Sequence, residues 1–118
     1  MRTAYGLVML IAFSVAPSVA ADDTGSVSAA VARAIQVVRA SGLPHRTDAM
    51  FTTIEGDWDE CLAVVKECCE VLAEAAPRVG LVLKADIRPG FTGELDGKLS
   101  RLEAAIEAQE STAETPWS

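Results

Sequence analysis

The segment HRTDAMFTTIEGDWDE, residues 45–60, decides the fold of this 118-residue chain. Threonine, branched and aromatic residues are frequent in residues 45–55, which predicts two short strands joined tightly near residues 48–50. A single long bent strand is the alternative interpretation. Asp57 is a good helix N-cap, and Glu60 three residues later completes a capping box. The segment therefore predicts a hairpin that leads directly into a helix.

A helix is predicted on each side of this hairpin. Upstream, apolar residues recur about every 3.6 residues, and Gly42 and Pro44 end the pattern; its members are Val27, Ala30, Val31, Ala34, Ile35 and Val38. Downstream, a helix over 58–75 stops before Pro77 and has a broad apolar face, made of Trp58, Cys61, Leu62, Val65, Cys68, Cys69 and Leu72. We interpret Trp58 as a core anchor.

Two further strands and a last helix complete the pattern. The apolar runs at residues 10–15 and 79–87 predict the first and last strands, and a leucine-rich stripe predicts a third helix over 95–109. The order β-α-β-β-α-β plus a helix is that of the ferredoxin-like fold. We predict an α+β, ferredoxin-like βαββαβ sandwich: a four-stranded antiparallel sheet with helices on one face and a C-terminal helix.

The N-terminus supports two interpretations. Residues 1–20 have the charged, apolar and small-residue parts of a secretory signal peptide. Cleavage would remove the first predicted strand and leave three cysteines in an oxidising compartment, whereas Met9 is a plausible alternative start. We therefore predict a dispensable extension over 1–8, one domain over 9–109, a flexible tail over 110–118 and a cytoplasmic protein. A true signal peptide would instead make it secreted.

Composition argues for binding rather than catalysis. A net charge of −7 disfavours nucleic acid, and the N-terminal apolar run is too short to span a membrane. The glycines form no phosphate-cradling loop, and no nucleophile-elbow motif occurs. The chain has three cysteines, an odd number, and two of them are adjacent. This pattern argues against a disulfide framework and a zinc site and predicts buried thiols. We predict no catalytic residue, no metal and no cofactor.

One face of the predicted sheet lacks a helix. Alternation along the strands gives it small, apolar and charged residues: Leu10, Ala12, Ser14, Phe51, Thr53, Glu55, Gly80, Val82, Lys84, Asp86 and Arg88. The opposite face of the last strand, from Val79 to Ile87, is expected to meet the helices. A bare apolar face predicts a homodimer or homotetramer packed through the sheets, which is compatible with a ligand pocket between them. Lys84 and Asp86 are then expected to form an ion pair across a subunit contact.

Three motifs carry a family resemblance. They are TTIEGDWDE at 52–60, APRV at 76–79 and KADIR at 84–88. Together they resemble the family of small thiamine-binding-protein-like domains, with a match from about residue 9 to residue 106. The resemblance implies a ferredoxin-like fold, homodimers or homotetramers built through the sheets and, in related members, binding of thiamine or its hydroxymethylpyrimidine part.

The resemblance also implies candidate ligand-binding residues. Thr47, Met50, Thr53 and Glu55 lie on or beside the matching central strands, where Glu55 would pair with a cationic ring or an exocyclic amine. Ser14 would add a hydrogen bond from the neighbouring strand. We therefore expect a non-catalytic binding protein for thiamine or a related pyrimidine. The alternatives are an oligomeric structural or regulatory protein with another ligand and a small enzyme that uses the open sheet face.

Overall fold

The computed structural model describes residues 8–18, 24–90 and 92–112. Within these ranges it contains four strands and three helices, in the order β1 Val8–Ser18, α1 Thr24–Ala40, β2 His45–Thr47, β3 Thr52–Asp57, α2 Trp58–Ala73, β4 Arg78–Ile87 and α3 Glu94–Thr112. This order confirms the predicted α+β architecture and the two-strand interpretation of residues 45–55, although the second strand continues to Asp57. Residues 1–7 and 113–118, which hold most of the predicted extension and tail, lie outside the described residues.

The strands form one antiparallel sheet in the order β2-β3-β1-β4. α1 joins β1 to β2, and α2 joins β3 to β4, so that each helix crosses over one intervening strand. Right-handed crossovers of this kind place both helices on the same face of the sheet. β1 and β3 are therefore the central strands, and β2 and β4 are the edges.

The core lies between the sheet and the α1–α2 pair. β1 turns Met9, Ile11 and Phe13 toward the helices, where all three are buried. Cys61 and Cys68 of α2 are buried in the same cluster, which confirms the prediction for these two thiols, whereas Cys69 is half-buried.

The start of α2 has the predicted capping box. The Glu60 amide donates to Asp57 Oδ1 at 2.7 Å, and the Asp57 amide donates to Glu60 Oε1 at 3.1 Å. The prediction that Trp58 anchors the core is wrong, because its residue surface is 46 % exposed. Trp58 is the first residue of α2, and the buried stripe of this helix begins one turn later at Cys61.

α3 partly covers the face that α1 and α2 leave open. Its first turn lies over Glu55 of β3, and Lys98 pairs with Asp86 of β4. The same carboxylate was expected to pair with Lys84 across a subunit contact, which stays a prediction. α3 continues to Thr112, so residues 110–112 of the predicted tail are helical. Beyond its first turns, the apolar stripe of Leu99, Leu102 and Ile106 is exposed.

β4 is less covered than the sequence predicted. Leu81, Leu83 and Ile87 pair in register with Val15, Phe13 and Met9, so they do lie on the helix side. They are nevertheless 44 %, 38 % and 44 % exposed. The reason is that β4 is an edge strand and α2 lies mainly over the two central strands.

No helix within the described ranges is long and apolar enough to cross a membrane.

Candidate functional site

A cleft of about 220 Å³ opens on the helix side of the sheet. It lies between α1, the second half of β1 and the turn that joins β2 to β3. Its apolar lining comes mainly from β1 and α1 and comprises Phe13, Val15, Val31, Ala34, Ile35 and Val38. Sites for drug-sized ligands usually enclose about 300–1,000 Å³, so this cleft suits a compound with one small ring.

The turn at the mouth of the cleft is held by Asp48. Its Oδ1 accepts the backbone amides of Met50 and Phe51 at 2.8 and 2.9 Å, and its own amide donates to the Phe51 carbonyl at 2.9 Å. These bonds form an Asx turn. The Phe51 amide, followed by the Met50 amide, lowers the pKa of the Asp48 carboxyl, because both donate to its ionised form. The mouth therefore carries a fixed negative charge at neutral pH.

Two threonine hydroxyls face each other in the lining of the cleft, where Thr52 is buried and Thr47 is exposed on the edge strand. Thr47 and Thr52 are directly opposite in the β2–β3 register, and their Oγ1 atoms are 3.0 Å apart. One hydroxyl donates to the other, which leaves the pair with one O–H donor and unused lone pairs. A donor beside an acceptor matches a ring nitrogen that is adjacent to an amino group. The cleft thus offers an apolar slot, a polar pair and an anionic mouth.

The thiol that lines this cleft is a poor nucleophile. Cys68 Sγ donates to the Ala34 carbonyl at 3.3 Å. Burial, with a smaller effect of Cys69, raises the pKa of the Cys68 thiol to about 11. Burial likewise raises the pKa of Cys61 to about 12, with a smaller contribution from Glu60. Both thiols therefore stay protonated at neutral pH, whereas the thiolate is the reactive form.

Three of the five predicted site residues line the cleft. Ser14 lies on its β1 wall, although its register with Val82 and the alternation along β1 turn its side chain to the open face. Thr47 and Met50 lie on its β2–β3 side. Met50 is 73 % exposed and stands at the mouth. These three residues are brought together by the fold rather than by sequence spacing.

The other two predicted residues lie on the opposite face of the sheet. Thr53 follows the buried Thr52 along β3, so alternation points it away from the helices. It lines a separate cavity of about 300 Å³ under α3, together with Leu10, Leu95 and Leu99. Glu55 is 5 % exposed, and its two carboxylate oxygens accept the amides of Glu94 and Leu95 at 2.9 and 3.1 Å. Glu55 is thus the N-terminal anchor of α3 in this structure.

Asp48 and Thr52 are the site residues that sequence reasoning missed. An aspartate two residues before Met50 in a predicted tight turn is a signal for an Asx turn, which would have fixed Asp48 at the loop tip. Thr52 could be found only by pairing the two strands residue by residue.

No group of three or more His, Cys, Asp or Glu side chains in the part of the chain that the structure describes is arranged to hold a metal ion.

The fold is that of a small ferredoxin-like domain, with a ring-sized cleft between α1 and the β2–β3 turn. The chain belongs to the thiamine-binding protein family, because the model of that family matches residues 11–103. This membership confirms the resemblance that the three sequence motifs carried.

Relatives and solved structures agree with this assignment. A UPF0045 protein of Mycobacterium bovis is 49 % identical over 96 residues, which are 80 % of this chain and 91 % of that protein. The structure of a hypothetical protein from Methanocaldococcus jannaschii superposes with a TM-score of 0.71 at 30 % identity, over 81 % of this chain and 96 % of its own. A proposed thiamine biosynthesis or salvage protein of Thermotoga maritima gives 0.66 at 29 % identity, over 80 % and 98 %.

Proposed function

We propose that this protein binds thiamine, or its hydroxymethylpyrimidine part, in the cleft between α1 and the β2–β3 turn, and does not convert it chemically. Membership in the thiamine-binding protein family supports this proposal, as does the likeness to the Thermotoga maritima protein. The observation that carries the location is the Thr47–Thr52 hydroxyl pair, 3.0 Å apart, in an apolar cleft with Asp48 at its mouth.

Each part of the cleft has a counterpart in such a ligand. The flat pyrimidine ring packs between Phe13 on β1 and Val31 on α1, where water would otherwise cover apolar surface. Its ring nitrogen and exocyclic amine meet the two threonine hydroxyls. A cleft of about 220 Å³ holds one ring, so the second, cationic ring of thiamine extends past the turn toward the Asp48 carboxylate.

The proposal that no reaction occurs rests on the chemistry of the lining. Cys68, the thiol in the cleft, has a pKa of about 11 and bonds to a backbone carbonyl. The Asp48 carboxylate is held by two amides, which favour its ionised form and weaken it as a base. These groups can orient a ligand, but they are poorly suited to transfer its protons or attack it.

A matched pair of variants tests the location of the site. Thr47→Val and Thr53→Val make the same chemical change on the neighbouring strands β2 and β3. Thr47 lines the cleft on the helix side of the sheet, whereas Thr53 lines the cavity under α3 on the other side. Losing one hydrogen bond costs about 0.5–1.5 kcal/mol, so Thr47→Val should weaken binding of hydroxymethylpyrimidine by roughly two- to tenfold in titration calorimetry. Thr53→Val should bind like the wild type.

The opposite pattern, with Thr53→Val weakened and Thr47→Val unchanged, would move the site to the cavity under α3. Absence of binding heat for both thiamine and hydroxymethylpyrimidine would refute the ligand itself. A stabilisation of about 2.7 kcal/mol is expected when the free ligand is at 100 times its dissociation constant, so a thermal-shift series gives an independent readout.

An oligomeric structural or regulatory protein is the second candidate function. The half-exposed apolar row of Leu81, Leu83 and Ile87 favours it, because isolated domains rarely leave such a row bare. A homodimer or homotetramer in the cytoplasm is compatible with ligand binding, and both properties remain part of the proposal.

A further inference from the structure

α3 is held over the open face of the sheet by polar contacts that leave unfilled space beneath it. A cavity of about 300 Å³ lies between the first turns of α3 and the sheet, and a second one of about 160 Å³ adjoins it on the β4 side. Leu10, Thr53 and Lys98 line both. Protein interiors contain few voids larger than a water molecule, so space of this size indicates room for a small ligand.

The strand register sets one row of side chains across the floor of this space. Ala12 of β1 pairs with Thr53 of β3 on one side and with Lys84 of β4 on the other, and Thr53 pairs with Arg46 of β2. Directly paired residues of an antiparallel sheet point to the same face. A hydroxyl group and a methyl group therefore lie between two cationic side chains.

Lys84 is the cation of this row that is free to bind a ligand. Arg46 is paired with Asp96 of α3 at 2.7 Å, whereas Lys84 has no ion pair within the described part of the chain. Asp86, its neighbour along β4, is bonded to Lys98 of α3. That hydrogen bond is the main cause that lowers the pKa of the Asp86 carboxyl, and the charge of Lys84 contributes least. The smaller cavity thus has two ammonium groups and one carboxylate, an excess of one positive charge.

We propose that the space under α3 binds a small monocarboxylate with an apolar body. The carboxylate lies over Ala12, where it accepts hydrogen bonds from the Lys84 ammonium and the Thr53 hydroxyl. The Thr53 hydroxyl donates to no protein acceptor within the described ranges, and the small Ala12 side chain leaves the space above it open. Neighbouring strands are about 4.8 Å apart, so the four-carbon stem of Lys84 can reach over Ala12 toward Thr53.

The apolar body of the ligand is contacted from both sides. Leu10 lies in the floor of the larger cavity, and Leu95 and Leu99 of α3 lie on its helix side. Leu99 is 48 % exposed, so a ring or a short branched chain placed there removes apolar surface from water. A ligand of this class is opposite in charge to thiamine and lies on the other face of the sheet, so the inference does not rest on the function proposed above.

Binding of phenylacetate tests both parts of the ligand. In an NMR titration, phenylacetate should shift the amide signals of Thr53 and of the first turns of α3. Phenylacetamide, which lacks the charge, and acetate, which lacks the apolar body, should each bind at least about fivefold more weakly. An affinity equal to that of phenylacetate for either compound would overturn the proposed ligand class, and so would the absence of phenylacetate binding at millimolar concentrations.

Lys84→Met and Lys66→Met are a matched pair of variants, because Lys66 is an exposed lysine of α2 outside both cavities. Lys84→Met should raise the dissociation constant of phenylacetate about fivefold or more, since a hydrogen bond to a charged group is lost. It should also remove the preference for phenylacetate over phenylacetamide, which a merely structural role would not do. Lys66→Met should change the constant by less than about twofold. Equal effects of the two variants would refute the role of Lys84.

Hydrogen exchange of α3 checks the location independently. A ligand that binds under docked α3 stabilises the docked state, so α3 amides that exchange by undocking should slow about tenfold when free phenylacetate is at ten times its dissociation constant. Unchanged exchange of α3 at that concentration would show that the compound binds elsewhere and would overturn the site. None of these measurements uses thiamine, so a failure of the function proposed above leaves their outcome unaffected.

Discussion

Replacing Glu55 with glutamine is expected to release α3 from the sheet while the rest of the domain stays folded. The Glu55 carboxylate is buried, and its two oxygens accept the first two amides of α3 at 2.9 and 3.1 Å. Glutamine keeps one acceptor oxygen and turns the other position into an N–H donor. That donor would face a backbone N–H, so one of the two bonds is lost.

The magnitude follows from these contacts. A hydrogen bond to a charged group contributes about 1.5–3 kcal/mol, and a carboxylate at a helix N-terminus gains about 0.3–1 kcal/mol from the helix dipole. Glu55→Gln should therefore destabilise the docked position of α3 by about 2–3 kcal/mol. Two further polar links to the body, the ion pairs Arg46–Asp96 and Lys98–Asp86, are exposed and each contribute about 0–1 kcal/mol. They cannot compensate for the loss.

Native-state hydrogen exchange measures this effect directly. Amides of α3 should exchange about 30- to 150-fold faster in Glu55→Gln, which corresponds to 2–3 kcal/mol. Amides of β1 and α2, which belong to the core, exchange through larger openings, so they should stay better protected than those of α3 and lose at most the same amount of about 2–3 kcal/mol. The free energy of global unfolding in urea should fall by no more than that amount, because destabilising the docked state also lowers its stability against complete unfolding.

Glu74→Gln is the matched control, because it makes the same chemical change at an exposed pair with Arg33. It should alter neither α3 exchange nor global stability by more than about 0.5 kcal/mol. Unchanged protection of α3 in Glu55→Gln would refute the anchoring role. Faster exchange in β1 and α2 with unchanged protection of α3 would show that Glu55 supports the core rather than the helix.

Three further predictions concern the core and its caps. The folded pKa values of Cys61 and Cys68, about 12 and 11, lie above the ordinary value of 9.0 because of burial. As pH rises, the thiols of the unfolded chain therefore lose their protons before those of the folded chain. The free energy of unfolding measured in urea should fall between about pH 9 and pH 12, and the two thiols should not change it below pH 9. A flat profile up to about pH 11 would contradict the burial of the thiols. Asp57→Ala removes the acceptor of the capping box and should cost about 0.5–2 kcal/mol in urea unfolding, and an unchanged midpoint would mean that the cap is dispensable. Ile11→Ala should lower the free energy of unfolding by about 2–5 kcal/mol, because the Ile11 side chain is fully buried. Val82→Ala, at an exposed site, should change the free energy of unfolding by no more than about 0.5 kcal/mol in dilute protein. Similar losses for the two variants would argue against this core.

The fold was largely predictable because its signals are local. The β2–β3 hairpin shows in the strand-forming residues and tight turn of 45–57, and the α2 N-cap shows in Asp57 and Glu60 three residues apart. Periodicity likewise identified α1 and α2. The order of these elements then admits few topologies, since crossovers are short and right-handed.

The candidate site was predictable only in part. Thr47 and Met50 were expected near the ligand, but their joining with Asp48 and Thr52 depends on the register of a three-residue strand. Glu55 holds the start of α3, and its expected contact with a ligand stays a prediction. The contact with α3 joins residues 39 and 40 positions apart, and no pattern within either segment specifies it.

The secondary structure, its order, the burial of Cys61 and Cys68 and the family can be read from the sequence, because they depend on spacing, caps and composition within short segments. Which polar groups meet in the cleft, which face α3 covers and which strand edge is left open become known only from the folded chain. Those outcomes depend on strand order and register, which bring together groups that are distant in the chain.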